Sequence, residues 1–279
     1  MLLDVGYSAE RQSIGDGSLR WNRSTFGRAL RAFETKTFQW GATYMGRAII
    51  LAGGQGRRLR PYTIAFPKPL MPIGEQPILE VIVRQLARNG FDHLTLAVSH
   101  QADLFRAYFG DGRKWGVAID YSVESQPLGT MGPLRLISDL PENFLVMNGD
   151  ILTDLNYTKF FQSHVEGERL LTIGAVSREQ VIDYGVLQVR ADSHLLRGFE
   201  EKPKIPYMVS MGIYCLTRGL LDFIPKCVPF GFDELVLSLL SANKPITIER
   251  HDGYWLDIGR PDDYQKALED RDTLGNIAP

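Results

Sequence analysis

Cysteine is almost missing from this chain: Cys215 and Cys227 are the only two in 279 residues. They form no Cys-x-x-Cys pair, so a thiol redox motif or a thiolate zinc site is not expected, and two reduced thiols fit a cytoplasmic location. Histidine is also sparse, five in all and none at ligand spacing. An excess of one charge sign is missing too. The formal net charge is −2, so no global basic field points to a nucleic-acid partner. No apolar run approaches the ~20 residues of a membrane span. The opening Met1-Leu-Leu-Asp-Val-Gly6 is too short for the apolar part of a secretion signal. What remains is ordinary for a globular protein, 44% hydrophobic and 23% charged, long enough for one large α/β domain or two small ones.

What the chain does have is concentrated in one stretch. Ala48 to Ala52 is a short apolar run and reads as a buried parallel strand. Gly53, Gly54 and Gly56 follow, then Arg57, Arg58 and Arg60. Glycines let backbone amides approach a ligand, and amides joined by guanidinium forks make a concave anion site. A small phosphate-rich substrate suits this stretch; a basic surface turn is the plain alternative. Two better-known glycine motifs are excluded. The ATPase phosphate loop needs a Gly-Lys-Ser/Thr ending, and the dinucleotide fingerprint needs a third glycine where Leu59 stands. Pro61 also argues against an immediate helix.

Around this stretch the pattern alternates. Residues 1–45 are polar and aperiodic and read as a poorly ordered extension, with a weak helix over Thr25–Phe33; Met45 is a candidate natural start. In Phe66-Pro-Lys-Pro-Leu, two prolines predict an extended, rigid segment that holds Lys68 as a positioned cation. A helix opens near Pro77 and ends at Gly90. Leu94–Val98, Val117–Val123 and Phe144–Met147 read as strands, with a short helix over 102–109. Thr130 reads as an N-cap with Pro133 at an early helical position. Asp150 stands at the carboxyl end of a strand, where open α/β sheets bind ligands. Short strand candidates then crowd the second half, at Leu170–Val176, Gly185–Val189, Leu195–Phe199 and Tyr207–Leu216. A helix over 231–241, a strand at Ile246–Glu249 and a helix from Pro261 complete the chain. The predicted fold is α/β: a doubly wound, mostly parallel (Rossmann-like) sheet with helices on both faces and a smaller β-rich part.

Seven motifs occur in order: Gly53-Gly-Gln-Gly-Arg-Arg-Leu-Arg-Pro, Pro67-Lys-Pro, Pro127-Leu-Gly-Thr-Met-Gly-Pro, Asn148-Gly-Asp, Asp183-Tyr-Gly-Val, Glu201-Lys-Pro and Trp255-Leu-Asp-Ile-Gly. With them the chain resembles the sugar-1-phosphate nucleotidyltransferases, over residues 47 to about 270. The mannose- and heptose-1-phosphate guanylyltransferases are the branch it is most similar to. The resemblance implies a nucleotidyltransferase domain over 46–279, with a nucleotide half (about 46–150) and a sugar half (about 151–260), and without the carboxyl-terminal β-helix of longer relatives. The implied partners are a nucleoside triphosphate and a sugar 1-phosphate, the implied cofactor is Mg2+, and a homo-oligomer stays open.

The implied roles follow residue by residue. Leu51, Gly53, Gly54, Gly56 and Arg57 would line the triphosphate, and Arg58 would stabilise charge at the α-phosphate. Lys68 would contact phosphate at the reacting centre, and Asp150 and Asp257 would hold magnesium. Glu124, Gly129 and Thr130 fall at the base. Gly185, Glu201, Lys202 and Ser210 fall at the sugar phosphate. A carboxylate at Glu124 can accept from guanine N1–H and N2–H but opposes O4 of uracil or thymine, so GTP is favoured. UTP or dTTP in the same reaction, and a non-catalytic sugar-nucleotide sensor on the same fold, are the alternatives. Two positions depart from the family pattern. Arg57 replaces a threonine, and Ser210 stands where the mannose branch commonly has asparagine.

Overall fold

The structure, a computed structural model, describes residues 46–54, 56–99 and 101–270. The extension and helix expected before Gly46 lie outside these residues. The strands are β1 (Gly46–Leu51), β2 (Pro72–Ile73), β3 (Gln76–Pro77), β4 (Phe91–Val98), β5 (Ala118–Val123), β6 (Asn143–Asn148), β7 (Ile151–Thr153), β8 (Leu171–Val181), β9 (Gly185–Val189), β10 (Leu196–Glu201), β11 (Lys204–Thr217), β12 (Thr247–Arg250) and β13 (Trp255–Asp257). The α-helices are α1 (Ile78–Arg88), α2 (Ala102–Phe109), α3 (Tyr157–Glu166), α4 (Phe232–Ser241) and α5 (Pro261–Glu269).

Seven strands form the central sheet in the order β12-β8-β11-β6-β1-β4-β5. β1 lies between β4 and β6, parallel to both. Only β11 runs antiparallel, to β6 on one side and β8 on the other. The apolar run in β1 has a direct physical cause. Ala48 and Ile50 enter the core on one face, under α1, α2 and α3, while Ile49 enters the opposite core with Leu235 and Leu239 of α4. A strand covered by helices on both faces has no solvent side, so alternation disappears from its sequence. Each fully buried isoleucine contributes about 1.5–3 kcal/mol of burial. The expected doubly wound, mostly parallel sheet is therefore the observed one.

Two local expectations differ from the structure. Lys68 is not held in an extended segment: Pro67 is extended, but Lys68–Leu70 closes a 3-10 turn, with Leu70 N–H bonded to Pro67 O and Met71 N–H to Lys68 O. Thr130 does not cap the turn after it, which is a single 3-10 segment, Gly132–Leu136, preceded by Met131. Its hydroxyl instead accepts from Phe232 N–H at 2.8 Å, at the start of α4. It caps a helix 102 residues away in sequence, which local pattern cannot reveal.

The second half owes its β-rich character to two long strands. β8 and β11 are buried along one half and exposed along the other. Their exposed halves pair as a ribbon, Val181 opposite Lys204. The hairpin β9–β10 continues from the ribbon as a separate two-stranded sheet.

Candidate active site

At the carboxyl ends of the parallel strands β1, β4, β5 and β6 the backbone turns away and leaves an open cleft of about 1230 Å³. This is the place where adjacent crossovers in an open α/β sheet diverge. The glycine loop after β1 forms one wall. Leu51 enters the wall, and its carbonyl accepts from Gly149 N–H at 2.9 Å, tying β1 to the turn that carries Asp150. Gly53 O accepts from Ser99 Oγ at 2.9 Å. A methyl group at Gly53 would come within 2.6 Å of Glu124 Oε1, so that glycine makes room for the carboxylate. Gly56 has φ +57 and its carbonyl accepts from Thr63 Oγ1 at 2.7 Å. It turns the chain into one 3-10 turn, Arg57–Leu59, anchored by the buried Leu59. Gly54, Arg57 and Arg58 line the cleft. Arg58 packs on Gly259, where a methyl group would lie 3.4 Å from its guanidinium.

The floor holds the charges. Lys68, almost buried, is in contact with Asp150 and lies 4.0 Å from Asp257. The two aspartates converge because β13 pairs antiparallel with β7, setting Asp257 opposite Ile151, and Ile258 N–H bonds to Asp150 O at 3.1 Å. Burial raises the Asp257 carboxyl above its ordinary range; the Asp150 charge adds to the rise, and Lys68 and Arg58 oppose it. Asp150 Oδ1 is buried with no hydrogen-bond partner. Among the described residues no three metal-binding side chains gather. An unpartnered carboxylate oxygen beside a second, unwillingly ionised carboxylate nevertheless fits a hard divalent cation that takes one or two protein carboxylates and completes its shell from water and phosphate.

The far end of the cleft is built from Glu124 and the loop after it. Glu124 N–H bonds to Val98 O at 3.0 Å, and its Oε2 accepts from Leu128 N–H at 3.0 Å. Burial pushes this carboxyl up, and the Leu128 amide partly offsets it. Gly129 lines the cleft with φ +76, and a methyl there would come within 2.6 Å of Phe230 O. Its glycine is thus required by packing against the 228–232 segment, whatever the ligand. Thr130 also lines the cleft.

The remaining expected residues lie elsewhere. Gly185 and Glu201 face each other across β9–β10, with the Phe199 ring over Gly185. Lys202 pairs with Asp183 at 2.6 Å, both well exposed. Ser210 Oγ donates to Tyr214 Oη at 3.3 Å beside the irregularity in β11. None of these four lines the cleft, and Asp257 does not line it either, meeting the floor through Lys68. The ribbon is tied to the floor through Arg178, whose guanidinium lies 4.9 Å over the Trp255 ring and donates to Trp255 O at 3.2 Å, two residues before Asp257.

The nucleotidyl transferase family model matches residues 47–273. This chain belongs to that family. It is 34% identical over 242 residues to a UTP–glucose-1-phosphate uridylyltransferase of Synechocystis, covering 80% of this chain and 62% of the relative. It is 33% identical over 229 residues to the mannose-1-phosphate guanylyltransferase catalytic subunit beta of Xenopus tropicalis, covering 80% and 63%. The chain therefore spans less than two thirds of either relative. The crystal structure of HddC from Yersinia pseudotuberculosis in complex with GMP-PN shares the fold, with a TM-score of 0.60 at 28% identity over 80% of this chain and 98% of that one.

For this family member, sequence reasoning gave no role to several cleft residues: Ser99 and Arg106, and Asn148 and Gly259, which lie inside motifs it singled out. Ser99 and Asn148 had a usable signal, since each ends or follows a parallel strand on the side that carries Asp150. Arg106 had none, being the single arginine of a short amphipathic helix, where a solvated charge is the ordinary reading. Among the described residues no helix is long and apolar enough to cross a membrane.

Proposed function

We propose that this chain transfers a nucleoside monophosphate from a nucleoside triphosphate, GTP favoured, to a sugar 1-phosphate of the mannose or heptose type, releasing pyrophosphate. The observation that carries the reading is the floor of the cleft. Lys68, Asp150 and Asp257 converge beside a glycine and arginine loop, and one oxygen of Asp150 is left without a partner. Phosphoryl chemistry of this kind needs positioning and charge neutralisation more than covalent help.

In this reading Gly53, Gly54 and Gly56 cradle the triphosphate, and Arg57 and Arg58 neutralise it. Lys68 turns from Asp150 to a phosphate oxygen at the α-phosphorus. Asp150 and Asp257 hold the divalent cation, for which we propose Mg2+; when bound it neutralises phosphate charge and lowers the barrier to in-line displacement. An oxygen of the sugar 1-phosphate attacks the α-phosphorus, the bond to the β-phosphate oxygen breaks, and pyrophosphate leaves with the electron pair. Gly185, Glu201, Lys202 and Ser210 belong to the sugar side and meet the sugar phosphate when the ribbon closes on it.

Guanine is favoured by Glu124, whose carboxylate is fixed by the Leu128 amide and keeps Oε1 toward the loop. A second reading, with UTP, has its own support in the similarity to a relative named for UTP and glucose 1-phosphate. Pyrophosphate release measured for each nucleotide against a panel of sugar 1-phosphates separates the two. Release with GTP and a mannose or heptose 1-phosphate is expected; release with UTP alone would reject the base assignment.

A further inference from the structure

We propose that Arg106 is a second base-reading residue, contacting the O6 and N7 edge of guanine beside the edge met by Glu124; this rests on the guanine reading above. Arg106 lies on α2 and lines the same cleft as Glu124. The helix opens at Ala102, three residues after Ser99, which follows β4. Ala102, Asp103 and Arg106 all reach the cleft, as one face of a helix does at this spacing.

The position of the guanidinium is set from the same strand that delivers Glu124. It lies 5.5 Å from the centroid of the Tyr121 ring, and Tyr121 precedes Glu124 by three residues on β5. The Tyr121 hydroxyl is anchored in turn on Gly110 O at 2.7 Å and Phe105 O at 3.3 Å, so α2 and β5 hold this arrangement together. The other contact of Arg106 is Asp103 Oδ1 at 3.3 Å, with the two side chains 49% and 97% exposed. A surface pair of that kind holds an arginine only weakly. The guanidinium is therefore placed over a ring and aimed at a cleft without being committed to a strong partner.

The chemistry selects one ligand edge. Around guanine, N2–H and N1–H are donors, and O6 and N7 follow as acceptors. A carboxylate followed by a guanidinium fork is the complement of that sequence, since one accepts and the other only donates. Uracil sets its O4 acceptor against the carboxylate and has no ring nitrogen at the place of N7. Adenine turns its N6 donor toward the arginine. The triphosphate already has Arg57, Arg58 and Lys68 at the loop, which leaves Arg106 for the base.

The test uses the full chain and 7-deaza-GTP, in which carbon replaces N7. With a cognate sugar 1-phosphate, the wild type is expected to lose about tenfold in kcat/KM between GTP and 7-deaza-GTP, in the range of one bidentate arginine–guanine contact. Arg106→Leu is expected to use the two nucleotides within about twofold of each other, losing the O6 bond with both and the N7 bond with GTP alone. That ratio is read within each protein, so a general loss of activity or stability does not imitate it. A wild type that prefers GTP but accepts 7-deaza-GTP equally, or an Arg106→Leu protein that keeps the wild-type ratio, overturns the role of Arg106 and leaves the guanine reading standing. A wild type that uses UTP or dTTP in place of GTP overturns the guanine reading itself.

Discussion

Replacing Asp150 with asparagine separates chemistry from folding at the floor of the cleft. The side chain keeps its size, and the backbone bond from Ile258 N–H to Asp150 O at 3.1 Å is untouched. Lys68 loses its contacting carboxylate but retains Asp257 at 4.0 Å, so the nearly buried ammonium is not left alone. The Asp257 carboxyl, raised in part by the Asp150 charge, returns toward its ordinary range and ionises more readily. These changes offset one another, and the stability cost is expected to be about 1 kcal/mol, that of one altered hydrogen-bonded group. Catalysis has no such compensation. In the proposed reading the second oxygen of Asp150, buried and unpartnered, is the one offered to a cation, and an amide there would be a poorer ligand. Altering residues that merely orient a metal ligand typically loses 10- to 100-fold, so losing the ligand should cost about a hundredfold or more in turnover. The magnesium concentration for half-maximal rate should rise as well. Pyrophosphate release titrated with magnesium, beside a melting curve, reads both effects. An Asp150→Asn enzyme with turnover within about threefold of wild type and an unchanged magnesium dependence would refute the reasoning.

Three further predictions concern the frame that holds the site. His164 is completely buried, paired with Thr172 Oγ1 at 2.8 Å, and burial pushes it down from 6.5 to about 4. Its folded value lies below its unfolded one, so the stability it contributes is full above pH 6.5 and is lost as pH falls toward 4, by about 3 kcal/mol in total. Denaturant titrations of wild type and His164→Gln across that window should show a steeper acid loss in the wild type, and parallel curves would contradict the assignment. The Tyr157 hydroxyl is fully buried with no partner. Tyr157→Phe should therefore raise stability by about 1 kcal/mol, and a lower melting temperature would mean that the hydroxyl has a bond after all. Gly129→Ala places a methyl group 2.6 Å from Phe230 O at φ +76. It should cost about 2 kcal/mol and loosen the wall around Glu124, whereas a variant of wild-type stability and nucleotide affinity would show that the segment yields freely.

Much of the frame was legible because its causes are local. The apolar run of β1 records burial on both faces, and Pro77 and Gly90 bracket α1 within a residue or two of where it begins and ends. The placement of Asp150 at a strand's carboxyl end follows from the same βα alternation. What escaped the sequence depends on contacts across long separations. Thr130 caps α4, and Gly129 is a glycine because of Phe230, which lies in another part of the chain. Lys68 gains its meaning from Asp150, 82 residues away, and its two prolines give a turn as readily as an extended segment. Arg106 is indistinguishable by pattern from the solvated arginines of other helices until β5 supplies Tyr121 beside it. Gly185, Glu201, Lys202 and Ser210, proposed for the sugar side, lie outside the cleft, on the hairpin and the ribbon that Arg178 and Trp255 join to the floor.

In the proposed function this cleft joins a guanine nucleotide to a sugar 1-phosphate. Pyrophosphate release with magnesium, run with GTP, UTP, dTTP, ATP and CTP against mannose, heptose and glucose 1-phosphates, tests it most directly. Release with GTP is expected well above the other four, strongest with a mannose or heptose 1-phosphate. Release with UTP or dTTP in preference to GTP would contradict the base assignment, and no release from any pair in a folded protein would contradict the transferase reading.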